Sequence, residues 1–139
     1  MTKREEAFKE AFEMLYKAGL EESKTYSYGH YSFREYQKQA AVTAEYPNRG
    51  DNIYYTTLGL CGEAGEFADK VKKIMRDHGG VITDEMRLAL KKELGDVLWY
   101  VSTCCDELGY TMEEVASGNI AKLAARKAQN TIHGSGDDR

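Results

Sequence analysis

Two pairs of acidic residues, each three positions apart, are the residues of this sequence best suited to chemistry. Glu63 and Glu66 lie in the stretch "LGLCGEAGEFADKVKK", and Glu93 and Asp96 lie in "LKKELGDVLWY". A spacing of three places both members of a pair on one side of an α-helix, here beside its apolar face. If the two helices bury their apolar faces against each other in antiparallel orientation, four carboxylates converge at one place.

Such a cluster needs a cation, because carboxylates held close together repel one another. Hard divalent cations prefer oxygen ligands, whereas zinc and di-iron sites use histidine. His30, His78 and His133 all fall in or beside predicted loops, so the cluster favours Mg²⁺ or Mn²⁺. Because Mg²⁺ shares its coordination shell with substrate phosphates, we expect a phosphate ester or anhydride as substrate. Lys70 and Lys73 follow Glu63 and Glu66 on the same predicted helix and could hold the distal phosphates.

A solvated helix face is the alternative explanation of each acidic pair. Charged residues make up 30% of the sequence, and a single ExxE pattern is common on such a face. The second pair, in register on the following helix, favours a functional cluster. Three glycines in the same helix also favour a functional cluster: Gly59, Gly62 and Gly65. Each glycine costs a helix interior ~1 kcal/mol relative to alanine, so their presence needs a reason. They predict that metal, phosphate or a crossing helix approaches the backbone beside the glutamates.

Five segments have the periodicity of amphipathic helices, with capping or helix-breaking residues at their boundaries. The predicted helices are 3–18, 32–46, 52–76, 83–108 and 111–127. N-caps are predicted at Ser32, at Asp51 or Asn52, at Thr83 and at Thr111, with capping boxes completed by Glu35 and Glu114. Long helices joined by short connections indicate an all-α fold, an antiparallel helical bundle.

The organisation along the chain is that of one domain with an extension. The length of 139 residues suffices for a single core. We expect residues 1–30 to form an N-terminal helical extension and residues 31–139 to form a catalytic helical domain. From about residue 128 onward the sequence is glycine-rich and polar, which predicts a mobile C-terminal tail.

Charge and cysteine content narrow the partners and the compartment. The net charge of −4 argues against nucleic acid and anionic membrane surfaces as partners. The first residues lack the apolar run of a signal peptide, and no apolar segment reaches transmembrane length. Cys61, Cys104 and Cys105 show no CxxC spacing and are expected to be reduced core residues. These features indicate a cytoplasmic protein.

The two motifs together resemble a known family. "GLCGEAGEFADKVKK" followed by "KKELGDVLWYV" is similar to the MazG-like all-α nucleoside triphosphate pyrophosphohydrolases, whose signature is ExxE, a spacer and ExxD. Here 26 residues separate Glu66 from Glu93. The resemblance extends back to "FREYQKQA" and forward through "NIAKLAARKAQNTIHGSGDDR", and so covers about residues 31–139.

The resemblance implies roles for individual residues. The metal ligands would be Glu63, Glu66, Glu93 and Asp96. At the phosphates the resemblance implies Tyr100 and Lys70 or Lys73. A polar stripe on the last predicted helix would face the triphosphate and consists of Asn119, Lys122 and Arg126. Arg139 would lie in a tail that closes over the nucleotide, and Gln37 would lie near the base or sugar. Members of the family are homodimers or homotetramers whose sites are often completed by a neighbouring subunit.

The predicted activity is cleavage of the α–β phosphoanhydride of a (d)NTP, giving (d)NMP and pyrophosphate in nucleotide-pool housecleaning. Glu63 or Glu66 would orient or deprotonate the attacking water, and lysines with Arg126 or Arg139 would stabilise the leaving pyrophosphate. Two alternatives stay open: a related pyrophosphatase acting on dUTP or phosphoribosyl-ATP, and a non-catalytic nucleotide-binding or oligomerisation module.

Trp99 is predicted to project away from both core and acids, which favours a subunit interface over a base-stacking surface.

Overall fold

A computed structural model describes residues 32–136, which form four α-helices. They are α1 (Phe33–Val42), α2 (Ile53–His78), α3 (Asp84–Leu108) and α4 (Met112–Ala128). No strand occurs within the described residues, so the prediction of an all-α fold is confirmed. The helix predicted at 3–18, the N-terminal extension and Arg139 lie outside the described residues. The domain boundary near residue 30 stays a prediction.

The helix starts lie where polar caps were predicted. At α4 both halves of the capping box form: Glu114 N donates to Thr111 Oγ1 at 3.1 Å, and Thr111 N donates to Glu114 Oε2 at 2.7 Å. At α1, Glu35 N donates to Ser32 Oγ, while the Glu35 carboxylate accepts a bond from Gln39 Nε2. The caps of α2 and α3 are Asn52 and Thr83.

The helix ends follow two different rules. α2 and α3 end at Gly79 and Gly109, whose φ angles of 58° and 73° lie in the left-handed region that glycine adopts without strain. α1 ends at Val42, four residues before the predicted end. The reason is Thr43, whose hydroxyl donates to Ala40 O at 2.9 Å and so competes with continuation of the helix.

The helix pair α2–α3 dominates the packing. Lys70, late in α2, pairs with Glu93 in the first half of α3, whereas Gly59, early in α2, faces Tyr100 further along α3. The two helices are therefore antiparallel, as a loop of a few residues between them requires. α1 packs against α3 and α4. The buried apolar residues are Ala40, Ala44, Ile74, Cys105 and Met112.

Glu107 fixes the start of α2 against the end of α3. Its carboxylate accepts bonds from the Tyr46 hydroxyl at 2.6 Å, from Gly50 N at 2.9 Å and from Asn52 N at 2.6 Å. The Tyr46 ring stacks on Tyr55, with centroids 5.1 Å apart. The loop between α1 and α2 is thus tied to α3 by one carboxylate.

The described surface carries many exposed apolar side chains. On α2 and α3 they include Leu58, Met75 and Leu88, with 74%, 68% and 60% of their surface exposed. Cys105 is buried, but Cys61 is exposed, so its assignment to the core was wrong. It lies on the outer side of α2. None of the helices within residues 32–136 is long and apolar enough to cross a membrane.

Candidate active site

The register of α2 against α3 brings three of the predicted acids together. Carboxylate oxygens of Glu63, Glu66 and Glu93 all lie within 4.8 Å of one another. The two acids of each pair lie about one turn apart on the same helix. The antiparallel packing turns the pair on α2 toward the pair on α3. The convergence predicted from the i, i+3 spacing is therefore present for these three residues.

Asp96, the fourth predicted acid, lies beside Glu63. Both line a cavity of about 300 Å³, and the charge of Asp96 acts on Glu63. Burial raises the pKa of Glu63 above its usual range, and the charges of Asp96, Glu66 and Glu93 raise it further. Negative charges gathered around one carboxyl group are offset most directly by a bound cation.

The two candidate lysines have different partners. Lys70 Nζ lies 3.3 Å from Glu93 Oε1, so its ammonium adjoins the acid cluster. Lys73 Nζ lies 2.6 Å from Asp69 Oδ2, and Lys72 Nζ lies 2.5 Å from Asp69 Oδ1. The Asp69 carboxylate thus holds both of the later lysines, and its pKa is lowered by these bonds. Of the two predicted phosphate ligands, Lys70 is the one that the structure places at the acids.

Tyr100 lines the same cavity as Glu63 and Asp96, one turn beyond Asp96 as its spacing predicts. Its ring fills the space beside Gly59, and its hydroxyl lies near Tyr55. Burial, reinforced by the Tyr55 hydroxyl and the charge of Glu63, raises the pKa of Tyr100. The hydroxyl is therefore a hydrogen-bonding group rather than a base at neutral pH.

The three glycines of α2 have different surroundings. A Cβ at Gly59 would collide with the Tyr100 ring, so the close approach predicted there is confirmed. A Cβ at Gly62 or Gly65 would meet no atom within 4 Å in the described part of the chain. The crossing helix predicted at these two positions is not found among residues 32–136. Both glycines are exposed.

Trp99 was misplaced by the sequence-based projection. The structure puts it in the wall of the cavity, together with Thr43 of the α1 end. Its Nε1 donates to Thr43 Oγ1 at 2.9 Å, and its ring meets Tyr100 edge to face, with centroids 4.9 Å apart. The i, i+3 spacing from Asp96 was a usable signal for Trp99. Thr43 could not be found in this way, because only the packing of α1 brings it there.

Gln37 has partners far along the chain. Its side-chain Nε2 donates to Asp106 Oδ1 at 2.6 Å and to Tyr110 O at 3.1 Å, and its Oε1 accepts from Met112 N at 2.8 Å. This amide links α1 to the end of α3 and the start of α4. Its position near a base or sugar stays a prediction, and the structure gives it a structural role.

The predicted polar stripe lies on α4. Asn119 is exposed, Lys122 is half-buried and Arg126 is buried. Arg126 Nη2 donates to Gly136 O at 3.2 Å, and Arg126 O accepts from Thr131 N at 2.8 Å. Arg126 thus holds the segment that follows α4 against the helix end. Contact of these residues with a triphosphate remains a prediction.

The donor set of the cluster fits a hard divalent cation. Glu63, Glu66 and Glu93 offer oxygen ligands only, and Asp96 adds a further carboxylate at their side. Hard cations such as Mg²⁺ and Mn²⁺ prefer such ligands. Their charge would also offset the repulsion that raises the pKa of Glu63. These residues can hold a cation against a phosphate chain.

Comparison with known proteins agrees with this arrangement. The model of the MazG nucleotide pyrophosphohydrolase domain matches residues 53–131, which include all four acids. The Gene 37 protein of Mycobacterium phage L5 is 50% identical over 109 residues, which cover 75% of this chain and 96% of that protein. No solved structure gives a significant match. Because the family model spans more than half of the sequence, the chain belongs to the MazG nucleotide pyrophosphohydrolase domain family.

Proposed function

We propose that the protein is a Mg²⁺-dependent nucleoside triphosphate pyrophosphohydrolase that converts (d)NTP to (d)NMP and pyrophosphate. The observation that carries the proposal is the acid cluster, in which carboxylate oxygens from α2 and α3 lie within 4.8 Å of one another. Lys70 adjoins the cluster, so a site for a cation lies next to a side chain that can bind phosphate. Membership of the family supports a nucleotide as the substrate.

The acids of the site would have two roles in hydrolysis, metal binding and activation of water. The four acids would hold Mg²⁺: Glu63, Glu66, Glu93 and Asp96. When bound, the ion would stabilise the negative charge that develops on the phosphate oxygens during cleavage. Glu63 or Glu66 would orient the attacking water and accept its proton.

Other side chains would bind the leaving group. Lys70 would donate to the pyrophosphate, because its ammonium lies at the edge of the acid cluster. Tyr100 would contribute to phosphate binding from the cavity wall. We also propose that the polar side chains of α4 and of the C-terminal tail contact the triphosphate: Asn119, Lys122, Arg126 and Arg139.

A substrate panel tests this function directly. The full chain is incubated with Mg²⁺ and each (d)NTP, dUTP and phosphoribosyl-ATP included, and pyrophosphate is measured separately from phosphate. The expected result is release of pyrophosphate and monophosphate that stops when the divalent cation is chelated. Nucleotide binding without turnover for every substrate would overturn the enzyme assignment and favour a non-catalytic nucleotide-binding module.

We further propose that the chain acts as a homodimer or homotetramer. Large apolar side chains are exposed on all four described helices, among them Val42, Leu58, Leu88 and Ile120. Apolar surface of this kind on a small protein marks an interaction surface. Sedimentation velocity of the full chain is expected to give the mass of a dimer or a tetramer. A monomer at micromolar concentration would contradict this proposal.

A further inference from the structure

One ion pair joins the acid cluster to a cation of the protein itself. Lys70 Nζ on α2 lies 3.3 Å from Glu93 Oε1 on α3, and the two side chains are 40% and 13% exposed. The next two lysines of α2 have a local partner, since Asp69 on the same helix binds both Lys72 and Lys73. Lys70 differs from them, because its partner belongs to the candidate metal site.

Glu93 is shared between this ion pair and the acid cluster. Its carboxylate offers an oxygen within 4.8 Å of oxygens of Glu63 and Glu66, and its Oε1 adjoins the Lys70 ammonium. A lysine ammonium carries a single positive charge, so it offsets one of the carboxylates gathered here. Lys70 therefore supplies the metal-free cluster with part of the positive charge that a divalent cation would bring.

The Lys70 ammonium and a divalent cation would compete for the same carboxylate. Electrostatic attraction grows in proportion to charge, so Glu93 attracts a divalent ion more strongly than it attracts an ammonium at the same distance. The ion pair can open toward solvent, because 40% of the Lys70 side chain is exposed. The ammonium ends a flexible four-carbon stem, so it can leave Glu93 and still stay beside the cluster.

We propose that Lys70 is the internal counter-ion of the metal-free site and couples cation binding to phosphate binding. Lys70 pairs with Glu93 until a divalent cation takes that carboxylate, and the released ammonium then binds the phosphate chain. The second step rests on the proposed function, whereas the first step needs no substrate. The cation and the phosphate chain then favour each other's binding, because coupling between two ligands is reciprocal.

Titration with Mn²⁺ tests the first step without any substrate. Free Mn²⁺ is quantified by electron paramagnetic resonance in solutions of the full chain at about 0.15 M ionic strength, where exposed charges more than ~8 Å apart are largely screened. Lys70→Met keeps the apolar stem and removes the ammonium. It is expected to bind Mn²⁺ about 5- to 50-fold more tightly than the natural protein, because no ion pair has to open. Unchanged or weaker Mn²⁺ binding would overturn the proposal.

Further variants separate the ion pair from a change in net charge. Lys72→Met removes the same charge from a lysine that is bound to Asp69, and it should change the Mn²⁺ affinity less than about twofold. Lys70→Arg keeps the charge, so its Mn²⁺ affinity should lie closer to that of the natural protein than that of Lys70→Met does. If Lys70→Met fails to fold, Lys70→Gln removes the same charge with a polar side chain. Equal gains in affinity for Lys70→Met and Lys72→Met would contradict a specific counter-ion.

A double-mutant cycle tests Glu93 as the partner. Glu93→Gln removes the charge of one ligand and is expected to weaken Mn²⁺ binding. In that background Lys70→Met should change the Mn²⁺ affinity less than about twofold, because the ion pair is already absent. The same gain in both backgrounds would show that Lys70 acts on the cluster as a whole, and the pairing with Glu93 would then be irrelevant to cation binding.

Inorganic tripolyphosphate tests the second step, because it carries a phosphate chain without a base or sugar. It is titrated calorimetrically with Mg²⁺ in the same excess in every sample, so that its complex with Mg²⁺ affects all variants equally. Lys70→Met is expected to bind it about 10- to 100-fold more weakly than the natural protein, the range for a hydrogen bond to a charged group. One substitution thus strengthens cation binding and weakens phosphate binding. Weaker tripolyphosphate binding with unchanged Mn²⁺ affinity would make Lys70 a phosphate ligand only and overturn the coupling.

Failure of this inference and failure of the proposed function give different results. Tighter Mn²⁺ binding by Lys70→Met, in a protein that releases no pyrophosphate from any nucleotide, would keep the counter-ion and remove the enzyme assignment. Pyrophosphate release by the natural protein, together with equal Mn²⁺ affinities of the natural protein and Lys70→Met, would keep the function and remove the counter-ion.

Discussion

The ring of Tyr100 on α3 occupies the space that a side chain at position 59 of α2 would need. Gly59 is thus a point of close contact between the two helices that carry the acids. The contact joins the packing of the helix pair to the shape of the site, since Tyr100 also lines the cavity with Glu63 and Asp96. It explains why one glycine is kept in the interior of a long helix at a cost of ~1 kcal/mol.

Substitution of Gly59 by alanine is expected to displace the Tyr100 ring. The new Cβ would force the far end of the tyrosine to move, so stability should fall by about 1–3 kcal/mol and kcat/KM should fall with it. Chemical denaturation and steady-state kinetics measure both effects. Gly62→Ala is the matched control, because a Cβ there meets open space among the described residues. It should raise stability by about 0.5–1 kcal/mol. Equal effects of the two substitutions would contradict the role given to Gly59.

Substitution of Glu63 by glutamine is expected to abolish turnover and to stabilise the metal-free protein. The pKa of Glu63 is raised in the folded state, so its ionised form opposes folding at neutral pH. The amide removes this repulsion and should raise the Tm of the metal-free protein. Pyrophosphate release should fall about 10²- to 10⁴-fold. Glu45→Gln, an exposed residue between α1 and α2, serves as the control in calorimetry and kinetics.

Addition of Mg²⁺ should reverse the order of stability of these two proteins. The natural protein gains stability from a cation that binds only the folded state, whereas Glu63→Gln gains less because it has lost a ligand. Differential scanning fluorimetry over a Mg²⁺ titration, with a chelator as the starting point, gives both curves. Identical Mg²⁺ responses of the two proteins would remove Glu63 from the ligand set.

The two lysines should differ in their effect on catalysis. Lys70→Met removes the ammonium beside Glu93 and should lower kcat/KM by about 10- to 100-fold, the range for a hydrogen bond to a charged group. Lys73→Met changes a side chain that is bound to Asp69 and should change kcat/KM less than about twofold, as exposed ion pairs contribute little. A larger loss at Lys73 than at Lys70 would reverse the assignment of the phosphate ligand.

Glu107 should control the acid stability of the fold. The hydroxyl of Tyr46, followed by the backbone amides of Asn52 and Gly50, lowers the pKa of Glu107 below its ordinary value of 4.5. Its contribution is therefore fully present above that value and is lost as the pH falls through the lower pKa of the folded state. Glu107→Gln should cost about 1–3 kcal/mol at neutral pH.

The same substitution should flatten the loss of stability on acidification. Urea denaturation at neutral pH and at a pH below 4 measures the difference between natural protein and variant. The difference should shrink in acid, because the natural carboxyl is then protonated as well. A difference that stays constant across this range would show that the carboxylate charge does not hold the loop between α1 and α2.

The sequence alone determined the class of the fold, most helix boundaries and the identity of the four acids. Those features depend on local physics: caps such as Asn52 and Thr111 satisfy the free amides of a helix start, and an i, i+3 spacing fixes a common helix side wherever the helix packs. The end of α1 was the exception, because the hydroxyl of Thr43 competes with the helix.

Only the tertiary structure decided which residues surround the acids. The antiparallel register of α2 and α3 places Lys70 beside Glu93 and Tyr100 against Gly59. The packing of α1 on α3 brings Thr43 to Trp99. These contacts join residues that are distant in sequence, and a pattern within one helix carries no information on the partner that another helix brings to it.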